Sequence, residues 1–231
     1  MSKHLQRDLE NVQRKILALS AMVEETIDKA SRSLCERRLD LAEQVIAGDD
    51  EIDRREVQIE EECLKMLALH QPVAVDLRRI AAVIKINSDL ERIGDLAHNI
   101  AERAQFLATQ PTFPIPAKLN RMVGMATMMV RNAIDSFVNL DTRAARQVCS
   151  LDDDVDQYNR EIIEELYTLM RKQPETIESA MHCFSAARHV ERIADHATNI
   201  AEDVIYLVEG EIARHKHDGL HVPRDEQLEA L

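Results

Sequence analysis

The stretch ERIGDLAHNIAE, Glu91 to Glu102, returns one hundred residues later as ERIADHATNIAE, Glu191 to Glu202. Nine of the twelve positions are identical, which is too many for two unrelated amphipathic segments. At about 100° per residue, Ile93, Ala97, Ile100 and Ala101 fall on one side of a helix. Glu91, Asp95, Asn99 and Glu102 form a narrow stripe beside that apolar side. The second copy repeats the stripe with Glu191, Asp195, Asn199 and Glu202. Each half therefore carries a helix with a core face and an acidic edge next to it.

Working outward, the duplication extends well beyond these helices. Ala145-Arg146-Gln147-Val148 echoes Ala42-Glu43-Gln44-Val45, Asp153-Asp154-Val155-Asp156 echoes Asp50-Glu51-Ile52-Asp53, and Gln173-Pro174 echoes Gln71-Pro72. The matches keep their order at offsets of 102 or 103 residues, as an internal duplication requires. Apolar residues from Leu5 to Leu34 recur in steps of three and four, a bundle-helix pattern. The spacing predicts a first helix running to Gly48, with Asp49 or Asp50 capping the second. That second helix ends at His70-Gln71, and Pro72 opens a third that runs to about Leu107. In the second half, the fourth helix is expected to pass Asp141 and end near Cys149.

Pro111, Pro114 and Pro116 fall within six residues and no helix continues through them. The reading is an all-α chain of two tandem antiparallel three-helix bundles. The first spans residues 1–110, a proline-rich linker 111–116, the second bundle 117–212, and a mobile tail 213–231.

Composition narrows the function. Hydrophobic residues make up 45% of the 231, enough for a packed core, while aromatics at 3% and five glycines favour helices over sheets. A formal charge of −13 argues against nucleic acid as a partner and for cations or basic protein surfaces. Cys35, Cys63, Cys149 and Cys183 are widely spaced in apolar patterns, so they read as reduced core thiols. There is no apolar leader and no run of about 18 apolar residues. The expectation is a cytoplasmic protein that meets a membrane only through partners.

The acidic stripes carry the chemistry. Carboxylates four apart share a helix face and repel, so a doubled set calls for a counter-charge that a hard cation supplies. In the first helix Glu24 and Asp28 form another such pair beside Val23 and Ile27. Antiparallel packing of helices one and three would join Glu24, Asp28, Glu91 and Asp95 in a four-carboxylate cluster. The matching place in the second half holds Arg131 and Asp135, so a fixed positive charge would weaken a metal beside Glu191 and Asp195. His98 follows Asp95 by three and is a further candidate ligand, although its counterpart is Thr198.

His182, His189 and His196 recur at steps of seven, either a ligand row or a polar face. His215, His217 and His221 form a weak metal-scavenging tract. Met122, Met125, Met128 and Met129 read as core filling. Arg92 and Arg192 are placed pointing away from the stripe. Nothing matches a phosphate-cradling glycine loop, a nucleophile elbow or a zinc-protease motif.

The longer stretch QPVAVDLRRIAAVIKINSDLERIGDLAHNIAE, Gln71 to Glu102, resembles the signature of the PhoU family. HVERIADHATNIAEDV, His189 to Val204, resembles its second copy, and the likeness runs from about Leu5 to Glu209. The resemblance implies a non-enzymatic regulator: the family restrains the phosphate-starvation two-component system and modulates the phosphate ABC transporter. It implies the sensor histidine kinase PhoR and the transporter ATPase PstB as partners, and a homodimer. It also implies a metal ion (Fe, Mn, Mg or Zn) on pairs of acidic motifs, here Glu24 with Asp28, Glu91 with Asp95, and Glu191 with Asp195. Two other classes remain: a carboxylate-bridged di-metal enzyme, which would set Glu-x-x-His motifs on two helices, and a purely structural scaffold.

Overall fold

The computed structural model describes residues 3–110 and 112–210. The tail from 213 and its histidines therefore lie outside the described residues. Six long helices form in the order α1 (Lys3–Cys35), α2 (Leu39–His70), α3 (Ala74–Ala108), α4 (Ala117–Asn139), α5 (Thr142–Lys172) and α6 (Ile177–Glu209). A single turn of 3-10 helix, Pro174–Thr176, precedes α6. Among the described residues there is no strand, and no helix is long and apolar enough to cross a membrane.

The first helix stops at Cys35, not at Gly48. Arg37 takes a left-handed conformation (φ 57°), and the Arg38 amide donates to the Ser33 carbonyl at 3.1 Å. This is a Schellman termination without the usual glycine. It is held by tertiary contacts: the Arg37 guanidinium donates to the carbonyls of Leu107 and Phe113, closing the end of α3 as well. Gly48 sits exposed inside α2, where it costs about 0.5–1 kcal/mol relative to alanine without breaking the helix.

The same break recurs 103 residues on. Leu140 is left-handed (φ 53°), the Asp141 amide donates to Ser136 O at 2.9 Å, and α4 ends there. Asp141 then caps α5 by accepting from the amides of Arg143 and Ala144. The fourth helix therefore does not reach Cys149, which lies within α5.

Helices α1 and α3 run parallel, because α2 reverses the chain between them. Arg79 reaches Gln13 near their starts, as Arg37 reaches Leu107 near their ends. The two halves share one continuous apolar core, from Leu5 on α1 to Leu207 on α6. The most extensive contact between any two helices joins α3 to α6. They run antiparallel: Lys85 pairs with Asp203, Asp89 with His196, and Phe106 stacks on His182. The two acidic-edged helices thus form the centre of the molecule. Their outer edges are left to α2 and α5.

Candidate metal centre

Asp49 and Asp53 lie four apart on α2 and so share a face. They meet the stripe on α3. One oxygen from each of Asp49, Asp53 and Asp95 lies within 4.8 Å of the other two, a spacing that one ion with oxygen ligands at about 2.0–2.4 Å can span. Close helix approach makes this possible. Gly94 is buried directly beside Asp95, and a Cβ there would come within 3.1 Å of Ile52 Cδ1 and 3.2 Å of Ile52 Cγ2. Ile52 itself sits between Asp49 and Asp53 in sequence, so this tight contact lies beside the carboxylates.

Electrostatics record the crowding. The Asp49 carboxyl is raised above its ordinary range by burial first, and by Asp53 and Asp95, while His98 opposes the shift. Glu91 is raised by burial and then by Asp95, with Asp53 and Glu56 adding to it. Glu56 is raised by burial and by Glu60, although Asn87 donates to its carboxylate at 3.0 Å. His98 Nδ1 stands 3.0 Å from Asp49, and its Nε2 is 3.8 Å from Glu102.

In the second half Asp152 and Asp156 on α5 act on the charges of Glu191 and Asp195 on α6. Among the described residues, however, only Asp49, Asp53 and Asp95 bring three carboxylate oxygens within 4.8 Å of one another. Burial lifts Asp152 to about 6, with Asp195, Asp156 and Asp153 adding repulsion. Asp195 is raised by desolvation and Asp156, and Glu191 by desolvation with Arg188 opposing. Thr198 donates to Asp152 at 3.5 Å, so the residue three beyond the stripe aspartate meets the first α2 or α5 aspartate in both halves. His98 is thus one version of a repeated contact.

The expected cluster of Glu24, Asp28, Glu91 and Asp95 does not form. Glu24 faces α4, where it accepts from Arg131 Nε and Nη2 at 2.9 and 2.8 Å, and Asp28 pairs with Arg32 at 3.6 Å. Parallel packing sets Glu24 and Asp28 level with Glu91 and Asp95, but Glu24 turns to α4, and α2 covers the acidic edge of α3. Arg131 therefore joins the halves and stands apart from the second cluster; Asp135 is exposed on α4, with its carbonyl accepting from Asn139. Asn99 and Asn199 are half-buried on the stripes, one turn beyond Asp95 and Asp195. Glu102 contacts His98 and Arg103, and Glu202 lies beside Cys149, whose thiol burial pushes to about 12. Arg92 turns toward the stripe, 3.4 Å from Asp95 and 3.6 Å from Glu91.

Asp49, Asp53, Asp152 and Asp156 are the residues that a reading of the α3 and α6 stripes alone passes over. The signal was present: both pairs are Asp-x-x-x-Asp at the offset of 103 that aligns α2 with α5. The remaining motifs have other roles. Met122 and Met129 are fully buried and Met125 packs on the core, but Met128 is exposed. His182, His189 and His196 follow the α3–α6 seam as separate contacts.

The family model described as the PhoU domain matches twice, over residues 16–104 and 119–204. The chain belongs to the PhoU family. A relative from Aquifex aeolicus, named a phosphate-specific transport system accessory protein PhoU homolog, is 46% identical over 91% of this chain and 96% of its own. The crystal structure of PhoU from Pseudomonas aeruginosa superposes with a TM-score of 0.86 at 39% identity, covering 89% of this chain and 99% of that one. The phosphate transport system regulatory protein PhoU from Streptococcus pneumoniae gives 0.85 at 29% identity, covering 90% and 98%. In this PhoU chain each family match contains one α2–α3 or α5–α6 carboxylate set.

Proposed function

We propose that the chain is a non-catalytic accessory regulator of a phosphate-specific transport system, working as a metal-loaded helical adaptor. The observation that carries this reading is the Asp49, Asp53 and Asp95 cluster in a chain of the PhoU family, with carboxylates at the aligned positions of the second half. Relatives named as accessory proteins of phosphate transport support regulation over catalysis. The oxygen-rich donor set suits Fe, Mn or Mg better than Zn. Asp49, Asp53, Asp95 and Glu91 would hold the ion in the first half, and Asp152, Asp156, Asp195 and Glu191 in the second. Burial first and neighbouring carboxylates second lift Asp49, Glu91 and Asp152, and bound positive charge would offset both.

The partners that fit this role are a sensor kinase of the PhoR type and a transport ATPase of the PstB type, met in the cytoplasm by a homodimer. The test replaces the native copy with Asp49→Asn, Asp53→Asn in cells carrying a phosphate-starvation reporter. Loss of repression at high phosphate, with the protein still folded and abundant, is the expected result. Full repression by a metal-free variant would separate the regulatory role from the metal and refute the second half of the proposal.

A further inference from the structure

Because α3 and α6 are antiparallel copies of one another, each side of their seam has a counterpart on the other. On one side charges match: Lys85 Nζ meets Asp203 at 2.9 Å, and His196 Nδ1 meets Asp89 at 2.8 Å. Shifted by the repeat, Asp203 corresponds to Arg103, Asp89 to His189 and Lys85 to Ser185. Both carboxylates of the first side are replaced by basic residues on the second.

The seam on that basic side opens into a shallow pocket of about 210 Å³ lined by Arg103, Met181, His182 and Ser185. Phe106 stacks on His182 with centroids 3.8 Å apart and planes at 11°, which fixes the ring. His189 Nε2 lies 3.3 Å from Ser185 Oγ. Nε of Arg103 and Nδ1 of both His182 and His189 are buried without a hydrogen-bond partner among the described residues. Buried polar atoms in native folds are nearly always paired, so the two orphans on lining residues, Arg103 Nε and His182 Nδ1, with a third on His189 behind Ser185, point to a ligand.

The charged neighbours are two guanidiniums, Arg103 and Arg192, and two carboxylates, Glu178 and Glu102, the last acting on His189. Glu102 approaches Arg103 only to 3.7 Å and is itself exposed. Glu178 acts on His182, while Arg192 adds a second guanidinium near His189. Burial and Arg103 hold both histidines below their ordinary range, the condition an incoming anion would reverse.

We propose that this pocket binds a small tetrahedral oxyanion of the phosphate class. The Arg103 guanidinium, the His182 and His189 rings and the Ser185 hydroxyl hold it. A guanidinium fork beside two imidazoles supplies the charge-assisted donors that such an anion accepts. The pocket is smaller than the roughly 300 Å³ where drug-sized ligand sites begin, which suits a bare anion. The site lies on the α3–α6 seam and does not depend on the metal reading.

The experiment titrates inorganic phosphate into the full-length protein in the presence of chelator, following the histidine ring resonances by NMR. Sodium chloride at matched ionic strength is the control. Saturable shifts at His182 and His189, with both apparent pKa values rising, are expected. Arg103→Gln should weaken binding about tenfold or more, and Lys85→Gln on the matched-charge side should leave it unchanged. Absence of a saturable shift up to about 50 mM phosphate in the wild type would overturn the proposal whatever the variants do. So would equal affinity in a folded Arg103→Gln protein.

Discussion

The two halves hold the same four carboxylates but solve the packing beneath them differently. In the first, Gly94 admits the bulk of Ile52; in the second, Ala194 stands opposite the shorter Val155 in the aligned sequence. A methyl has moved from one helix to the other. The charge screens differ as well: His98 meets Asp49, whereas Thr198 meets Asp152 and Arg188 pairs with Glu191. Burial lifts Asp152 to about 6, and the Thr198 hydroxyl opposes that shift with a neutral donor where His98 opposes the shift of Asp49 with an imidazole. The comparison teaches that the carboxylate positions are the repeated element, while side-chain volume and counter-charge are adjusted around them.

Breaking the packing should have the largest effect. Gly94→Val forces branched bulk into Ile52 and should cost about 2–3 kcal/mol, a fall in Tm of roughly 5–10 °C in thermal melts. Adding Ile52→Val, which copies the partner used in the second half, should recover about half of that loss. No recovery would mean that the two interfaces are not interchangeable solutions.

The charge comparison is sharpened by pH. A carboxyl raised in the fold binds its proton more tightly there than in the unfolded chain. Its stabilisation is therefore complete below about pH 4 and is lost as pH rises through about 6. In metal-free protein Asp152→Asn should thus change Tm little near pH 4 and raise stability at pH 7.5. The gain should be on the order of 1 kcal/mol, discounted because the group keeps some contact with water. A gain that shrank as pH rose would contradict the assignment.

The smallest effect is expected at Arg131. Its pair with Glu24 is exposed, so Arg131→Ala should move Tm by no more than about 1 °C and leave cation binding by the second half unchanged. A change in that binding would return Arg131 to the site where helical alignment alone had placed it.

Much of this architecture was legible in the residues. Repeated Gln-Pro pairs, the proline cluster and the apolar spacing of α1 predict an all-helical chain in two repeated halves. The breaks after Cys35 and Asn139 were not legible, because Arg37 and Leu140 occupy left-handed positions that local preference assigns to glycine. Gly48 misled for the converse reason: glycine weakens a helix, but burial of Ala42, Val45 and Ile52 on the same helix outweighs it. The α3 and α6 stripes were visible as carboxylates. Their partner was not, because it depends on which face of each helix meets α3: Glu24 turns to Arg131 on α4, and α2 brings Asp49 and Asp53 to Asp95.

The most direct test measures bound metal and cation-induced thermal shift in untagged wild-type protein and two double variants. The account predicts metal in the wild type, reduced content in Asp49→Asn, Asp53→Asn, and wild-type content in Glu24→Gln, Asp28→Asn. Loss of metal from the α1 variant with retention in the α2 variant would contradict it, and so would protein that neither carries metal nor gains stability from added cation.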